Sequence, residues 1–384
     1  MFLVGKRTIS AIIKTLFLIA TIVINNQSIA QTVPLSKNAQ VSILTVGTSD
    51  ESYALYGHTG IRFKDSISNI DIVFNYGAFD FETENFMLKF VKGDLQYFVS
   101  SSSYIDFEYN YRYENRSIYE QPLNLPPEKI KALFSKIYNS TLTNERFYTY
   151  KFIDKNCTVL IIEKINEVLG EVVIDFQKPK QESYRSVLFP YTNNHFFQQL
   201  GINIIFGLKV DAKAKKMFLP LDLMNELKST YYKGKPIVIE TKTIYKAQKK
   251  PTPFPLFDNI YILITLLTIV VVLKNNAINL GYFFVLGLLG LFFSVIGFYS
   301  LHQEVLWNYN ILLFNPFYLI LLYFFYQKNY TKTKRVLEFL AFCLVVYVFV
   351  ISTKVYIISI LPIIVATFIL LYQFRKQMIF KISN

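Results

Sequence analysis

Three patterns of apolar and polar positions divide the chain. Alternation over Val41–Val46, after His58 in Gly57-His58-Thr59-Gly60-Ile61-Arg62-Phe63, and over Ile70–Gly77 predicts three short strands. Gly47-Thr48-Ser49-Asp50 is a turn after the first, and the polar loop Lys64–Asn69 joins the other two as a hairpin. Aromatic-rich segments follow, among them Tyr104–Tyr113, and Ser117–Leu125 reads as a further strand. Helical spacing begins at Pro126-Pro127, with Ile130, Leu133, Phe134, Ile137 and Tyr138 on one face. A second helix opens at Cys157. Asp154 or Asn156 caps it, Leu160, Ile161, Ile165, Val168 and Leu169 form its buried face, and Gly170 stops it. From 171 to 250 no period is clean. Ser183–Tyr191 and Asn193–Phe206 read as loops and short helices lying on a membrane or lining a cleft, and Met217–Leu227 as a short helix near the bilayer.

The third pattern is the long apolar run. Five occur near the C-terminus, at 258–273, 278–299, 305–326, 336–353 and 355–374, each about as long as a bilayer crossing demands. At the other end, Lys6, Arg7 and Lys14 precede the apolar run Leu16–Val23, and Ser28-Ile29-Ala30 offers small residues for cleavage, so residues 1–30 read as a signal peptide. The expected organisation is a periplasmic α+β domain over 31–250, a stiff linker over 251–257 (Pro251-Thr252-Pro253-Phe254-Pro255 at its start), and a five-helix transmembrane bundle over 258–384. Basic residues orient it. Lys274 lies in the first loop, Lys328, Lys332, Lys334 and Arg335 in the third, and Arg375, Lys376 and Lys381 in the tail, whereas the second loop has none and the fourth only Lys354. The odd-numbered loops are therefore cytoplasmic and the 31–250 domain is outside, in agreement with the signal peptide.

Composition adds one exclusion. The chain is 52% hydrophobic with a formal charge of +13, yet residues 31–257 hold 28 basic and 24 acidic side chains. No Lys/Arg stripe with interleaved aromatics is present, so the surplus reports membrane topology and no nucleic-acid partner is expected.

Cysteine usage brings in chemistry. An oxidising compartment consumes thiols in pairs, yet of the two cysteines Cys343 lies within an apolar run and cannot reach Cys157. A lone thiol at a helix N-terminus feels backbone N–H groups and the positive end of the helix dipole, which favour thiolate. Cys157 is accordingly the candidate nucleophile, against the plainer reading of a small buried core residue. A cysteine nucleophile needs a base and a group that orients the base. Of three histidines, His302 sits at the membrane face. His58, opening a strand beside glycines, is favoured over His195 as base. Asn75 on the next strand is the favoured orienter, with Asp71 the alternative, and the backbone N–H of Cys157 is a candidate oxyanion donor. No cofactor and no metal is called for. The second membrane loop, Tyr299 to Asn310 and on through Asn315-Pro316, is unusually polar; it either lines a functional cavity or supplies interfacial anchors and helix–helix hydrogen bonds.

A histidine opening a strand, a polar residue on the following strand and a cysteine starting a later helix resemble the circularly permuted papain-like enzymes related to lecithin-retinol acyltransferase. More closely, Tyr56-Gly57-His58-Thr59, Phe74-Asn75-Tyr76-Gly77, Arg116 with Gln121-Pro122-Leu123-Asn124-Leu125, Asn156-Cys157-Thr158, and a five-span tail with Asn308, Asn310 and Asn315-Pro316 resemble the Lnb lipoprotein N-acyltransferase family. The resemblance implies a membrane-bound acyltransferase. Cys157 would take an acyl chain from a phospholipid as a thioester and pass it to the α-amine of a diacylglyceryl-cysteine lipoprotein, with His58 taking the proton. One departure stands out: Asn75 occupies the orienter position where acyltransferase relatives often have a second histidine. Competing readings are a cysteine phospholipase, a cell-wall peptidase or amidase, and a non-catalytic sensor or assembly factor.

Overall fold

The structure is a computed structural model and describes residues 35–51, 53–176, 180–248 and 254–383. The expected signal peptide and residues 251–253 of the expected linker lie outside the described residues.

The N-terminal domain is built on strands β1 (Gln40–Val46), β2 (His58–Asp65), β3 (Ile70–Ala78), β4 (Gln96–Ser103), β5 (Ile118–Pro122) and β6 (Phe147–Thr149). With the late strand β9 (Lys242–Tyr245) they form a seven-stranded sheet of order β6-β4-β3-β2-β1-β5-β9, antiparallel throughout. A small ribbon, β7 (Tyr231–Tyr232) with β8 (Lys235–Pro236), stands apart. The β2–β3 hairpin forms as the alternation predicts, its turn eased by Asn69 in the left-handed region. Four helices of this half precede the cysteine helix's end: α1 (Phe86–Lys92), α2 (Tyr104–Tyr113), α3 (Pro127–Leu142) and α4 (Cys157–Leu169).

Strand alternation sends apolar residues to both faces of the sheet. Val41, Ile43, Ile61, Phe63, Phe74 and Tyr76 pack against Ile130, Leu133, Phe134 and Ile137 of α3 and against α4 in the main core. Leu44, Val46, Val73 and Ile118 pack on the other face against Phe107 of α2. The aromatic run Tyr104–Tyr113 is thus a helix that covers the sheet's second face. Two layers of helix around one sheet explain why the central strands are apolar on both sides.

Later come α5 (Tyr184–Leu188), α6 (Phe196–Ile205) and α7 (Pro220–Glu226). Helix α7 does not lie near the bilayer as expected. Leu223 and the following Leu227 are buried in the core of the exported domain, and the Gln121 side chain donates to the Met224 carbonyl at 2.9 Å. The helix α6 meets the membrane half: its Leu200 belongs to the membrane domain's core.

The C-terminal half contains α8 (Ile260–Leu273), α9 (Asn276–Tyr299), α10 (Phe317–Tyr326), α11 (Tyr330–Ile351) and α12 (Ile357–Ser383). Among the described residues α9 and α12 are long and apolar enough to cross a membrane alone. The expected third span is broken: two short 3-10 turns over 303–312 lead to α10 with a bend of 42°. The cause is Asn315-Pro316, which cannot continue a helix, and Asn315 caps the second half by accepting from the Phe317 N–H at 3.0 Å. α9 makes room for the break, because a Cβ on Gly290 would run into the Phe314 carbonyl. The first turns of α11 hold Lys332, Lys334 and Arg335, which explains why the apolar run there begins only at 336.

Candidate active site

The site begins with the loop that enters α4. Asn156 is buried in extended conformation and caps the helix, its Oδ1 accepting from the Val159 N–H at 3.0 Å. Its amide nitrogen donates to the carbonyls of Phe152 at 2.9 Å and Phe218 at 2.8 Å. Asp154, the other candidate cap, instead pairs with Lys209 and, at 3.0 Å, Lys216. Burial raises its pKa, but those two ammonium groups outweigh this and hold the carboxyl below its usual range. The loop is thereby fixed from both ends, and Cys157 is presented at the first helical position, half-buried and unpaired.

Helix α4 is seated on β2 by a buried hydroxyl pair, Thr59 with Thr158 at 2.9 Å. That contact brings the head of the helix to the start of the strand, where His58 stands. Burial pushes the Cys157 thiol up. The charge on His58, a hydrogen bond from its ring, the Thr59 backbone N–H and the Thr158 hydroxyl, 4.0 Å from the sulfur, more than offset burial and bring the thiol below its ordinary value. On its far side the His58 Nε2 meets Asn75 Oδ1 at 3.0 Å. Asn75 therefore holds one ring nitrogen, and Nδ1 is the one left to face the sulfur.

Two glycines make this arrangement possible. Gly57 has φ +80°, and a Cβ there would lie 2.6 Å from the Val46 carbonyl, so the tight entry into β2 needs glycine. Gly60 pairs with Asn75 across the hairpin, and a Cβ there would come within 3.2 Å of the Asn75 side-chain oxygen. Removing that side chain leaves the amide free to reach His58.

The remaining candidates fall elsewhere. Asp71 makes a two-point ion pair with Arg62 at 2.7 Å, and Arg62 also meets the buried Glu120. His195 contacts Asp50 at 3.4 Å and lies 3.9 Å from Asp258, where the first membrane helix begins. It borders a cavity of about 760 Å³ whose walls include neither Cys157, His58 nor Asn75. His302 meets the Phe90 carbonyl at 2.9 Å. Around the thiol stand Tyr111, Tyr148 and Tyr150. Burial first and a charged Cys157 sulfur next push the latter two phenols well up. The Tyr111 ring lies 6.1 Å from the His58 ring. A cleft of about 240 Å³ lined by Asn75, Ser102, Asn110, Tyr111 and Glu114 opens on this side.

Residues 27–188 match the family model described as the Lnb N-terminal periplasmic domain, and residues 246–383 the one described as the Lnb transmembrane domain. The chain belongs to the Lnb family. Comparisons with curated proteins and with solved structures gave no match. As a member of this lipoprotein N-acyltransferase family it is a membrane protein with a periplasmic N-terminal domain and a transmembrane domain. His58, Asn75 and Cys157 all fall within the Lnb periplasmic match, and Asn308, Asn310 and Asn315 within the Lnb transmembrane match.

Sequence reasoning missed the seam between these Lnb domains. Arg185 is buried, pairs with Asp211 at 2.8 Å and donates to the carbonyls of Asn203, Phe206 and Gly207. Asp211 also accepts from the Tyr309 hydroxyl at 2.9 Å and meets Lys354 at 3.2 Å. Asn308 and Asn310 donate to the Ile204 carbonyl at 2.7 and 2.9 Å, satisfying the end of α6, while Asn310 accepts from Tyr347 and Tyr356. The polar membrane loop is thus largely a structural clamp. The signal available in sequence was Arg185 and Asp211 bounding a stretch in which Lys209 is the one other Lys, Arg, Asp or Glu.

Proposed function

We propose that this protein is a lipoprotein N-acyltransferase in which Cys157 is the nucleophile, His58 the proton carrier and Asn75 its orienter. The observation that carries the reading is one imidazole held between Asn75 and a half-buried thiol whose pKa is lowered, in a domain attached to membrane helices. The order histidine, asparagine, cysteine along the chain suits the circularly permuted papain-like arrangement. The proposed organisation is a signal peptide over 1–30, the catalytic domain over 31–250, a linker over 251–257 and five spans over 258–384.

In the first half-reaction the Cys157 thiolate attacks the carbonyl carbon of a phospholipid acyl ester. The developing oxyanion is met by backbone N–H groups at the head of α4, that of Cys157 among them. The C–O ester bond breaks, the His58 imidazolium gives its proton to the leaving oxygen, and a lysophospholipid departs from the acyl thioester. In the second, the free α-amine of a diacylglyceryl-cysteine lipoprotein attacks the thioester carbonyl and His58 takes the amine's proton. The C–S bond breaks, leaving an amide and a regenerated thiolate. Covalent catalysis divides an ester-to-amide exchange into two easier steps.

The test is expression in a cell lacking its own N-acylating enzyme. The reading predicts that lipoprotein N-termini change from diacyl to triacyl, and that Cys157→Ala abolishes the change. Unchanged termini beside released free fatty acid would make water the acceptor and the protein a phospholipase.

A further inference from the structure

A cavity of about 330 Å³ lies at the seam, walled by Phe90, Tyr150, Phe152, Ile202, Ile205 and Val305 and presenting almost no polar surface. Both domains contribute to it. Its inner wall belongs to the loop that enters α4: Tyr150, whose ring stacks on Tyr97 at 4.6 Å, packs like Cys157 against the main core, and the Phe152 carbonyl holds the Asn156 cap. Its outer wall belongs to α1, which buries none of its residues and exposes Met87, Leu88, Phe90 and Val91.

The position of α1 is fixed by the membrane domain. The Ser300 hydroxyl donates to the Val91 carbonyl at 3.0 Å, the Leu301 N–H to that of Lys92 at 2.6 Å, and His302 meets Phe90. These three residues follow the end of α9 directly, and Phe298 beside them is 92% exposed. An apolar helix bound to the exported end of a membrane span lies at the lipid surface, where exposed Phe, Leu and Met cost nothing. The cavity therefore runs from that surface to Tyr150 and Phe152 of the loop that presents the thiol, Cys157 itself not being in its walls. Its histidine and its carboxylate are already engaged, His302 with Phe90 and Glu304 with Lys209 at 3.4 Å, and the other polar groups in its walls are the Tyr97 and Tyr150 phenols. No uncommitted charged group in these walls is left to bind a head group, and a flexible hydrocarbon chain is the ligand they accept.

We propose that this cavity holds the fatty acyl chain of the donor lipid while the chain is carried on Cys157. The inference rests on the reading of Cys157 as the acyl-carrying nucleophile and adds where the chain goes. A chain packed there keeps water from that side of the thioester and leaves the Asn75–Tyr111 cleft for the approaching amine. The cavity also becomes the determinant of chain length, since each methylene denied burial costs about fourfold in binding.

The experiment uses the full-length protein in detergent–lipid micelles, no acceptor, and phosphatidylethanolamines bearing octanoyl, palmitoyl or stearoyl chains, with the Cys157 adduct read by mass spectrometry. Ile202→Trp, which fills the cavity, is expected to lower the palmitoyl-to-octanoyl adduct ratio by about tenfold or more. Val305→Ala, which deepens it, raises the stearoyl-to-palmitoyl ratio and carries the test if the larger residue prevents folding. Adducts with parental ratios in both variants overturn the proposal. So does an unchanged adduct profile combined with slowed release to a lipoprotein acceptor, which would assign the cavity to the acceptor's chains. A parent protein that acquires no adduct would remove the nucleophile itself, a separate failure.

Discussion

At the scale of single residues, the site rests on a balance of burial against charge at one sulfur. Because the folded thiol titrates below its ordinary value, thiolate is present above that lowered pKa and is lost as pH falls through it. Iodoacetamide labelling of Cys157 should therefore rise with pH through a midpoint below the value of about 8.5 of a free thiol. His58→Ala removes the lowering charge, so the midpoint should move up and acyl transfer should fall by about 10²–10⁴-fold. Asn75→Ala should cost less than His58→Ala, since it frees the ring without removing it; equal loss would contradict the positioning role. Gly57→Ala places a Cβ against the Val46 carbonyl at a left-handed φ and should cost about 1–3 kcal/mol in unfolding measurements. As candidates, His58, Asn75 and Cys157 stand out because each sits at a patterned point: strand start, paired strand, helix start. Asn75 is favoured over Asp71, but the strand pattern by itself does not separate them. Alternation puts Asp71 and Asn75 on one face; register separates them, setting Asn75 opposite Gly60 within reach of His58 and leaving Asp71 beside Arg62, while Gly60 clears a path that no periodicity records.

At the scale of elements, the strong patterns gave helices and strands where the physics is local. The Cys157 helix has a cap, a face and a stop within its own sequence, and all three form. Elements defined by distant partners were misjudged. The short helix at Pro220–Glu226 turns only Pro220 and Leu223 inward, and so few apolar positions could not distinguish the exported core from a bilayer surface. The third apolar run has the length of a span but contains Asn315-Pro316, and its bend is tolerated because Gly290 admits the freed backbone. Gly290→Leu should therefore reduce the yield of folded membrane domain, as measured by size-exclusion chromatography in detergent, whereas Gly281→Leu, which meets open space, should not. Asp211→Ala leaves Arg185 without its carboxylate partner and should cost about 3–5 kcal/mol. A thermal midpoint equal to the parent's would argue that the seam does not hold the domains.

At the scale of the whole molecule, topology and chemistry meet at one surface. Lys354 is the only basic residue in the even-numbered loops, and its pairing with Asp211 of the exported domain removes it as an exception to the charge rule. With Cys157 replaced by serine, an impermeant maleimide should label Trp307→Cys from outside intact cells and Lys274→Cys only after lysis. The reverse would invert the protein. The seam also accounts for the architecture: the clamp around Arg185 and Asp211 holds the loop carrying Cys157 beside α1 and the exported ends of the membrane helices. Everything then turns on whether that sulfur carries an acyl group. Purified full-length protein incubated with phospholipid and digested should yield a Cys157 peptide heavier by one fatty acyl chain, released by neutral hydroxylamine and absent in His58→Ala at short times. A Cys157 peptide of unmodified mass, from protein that still converts lipoproteins to the triacyl form, would contradict the account.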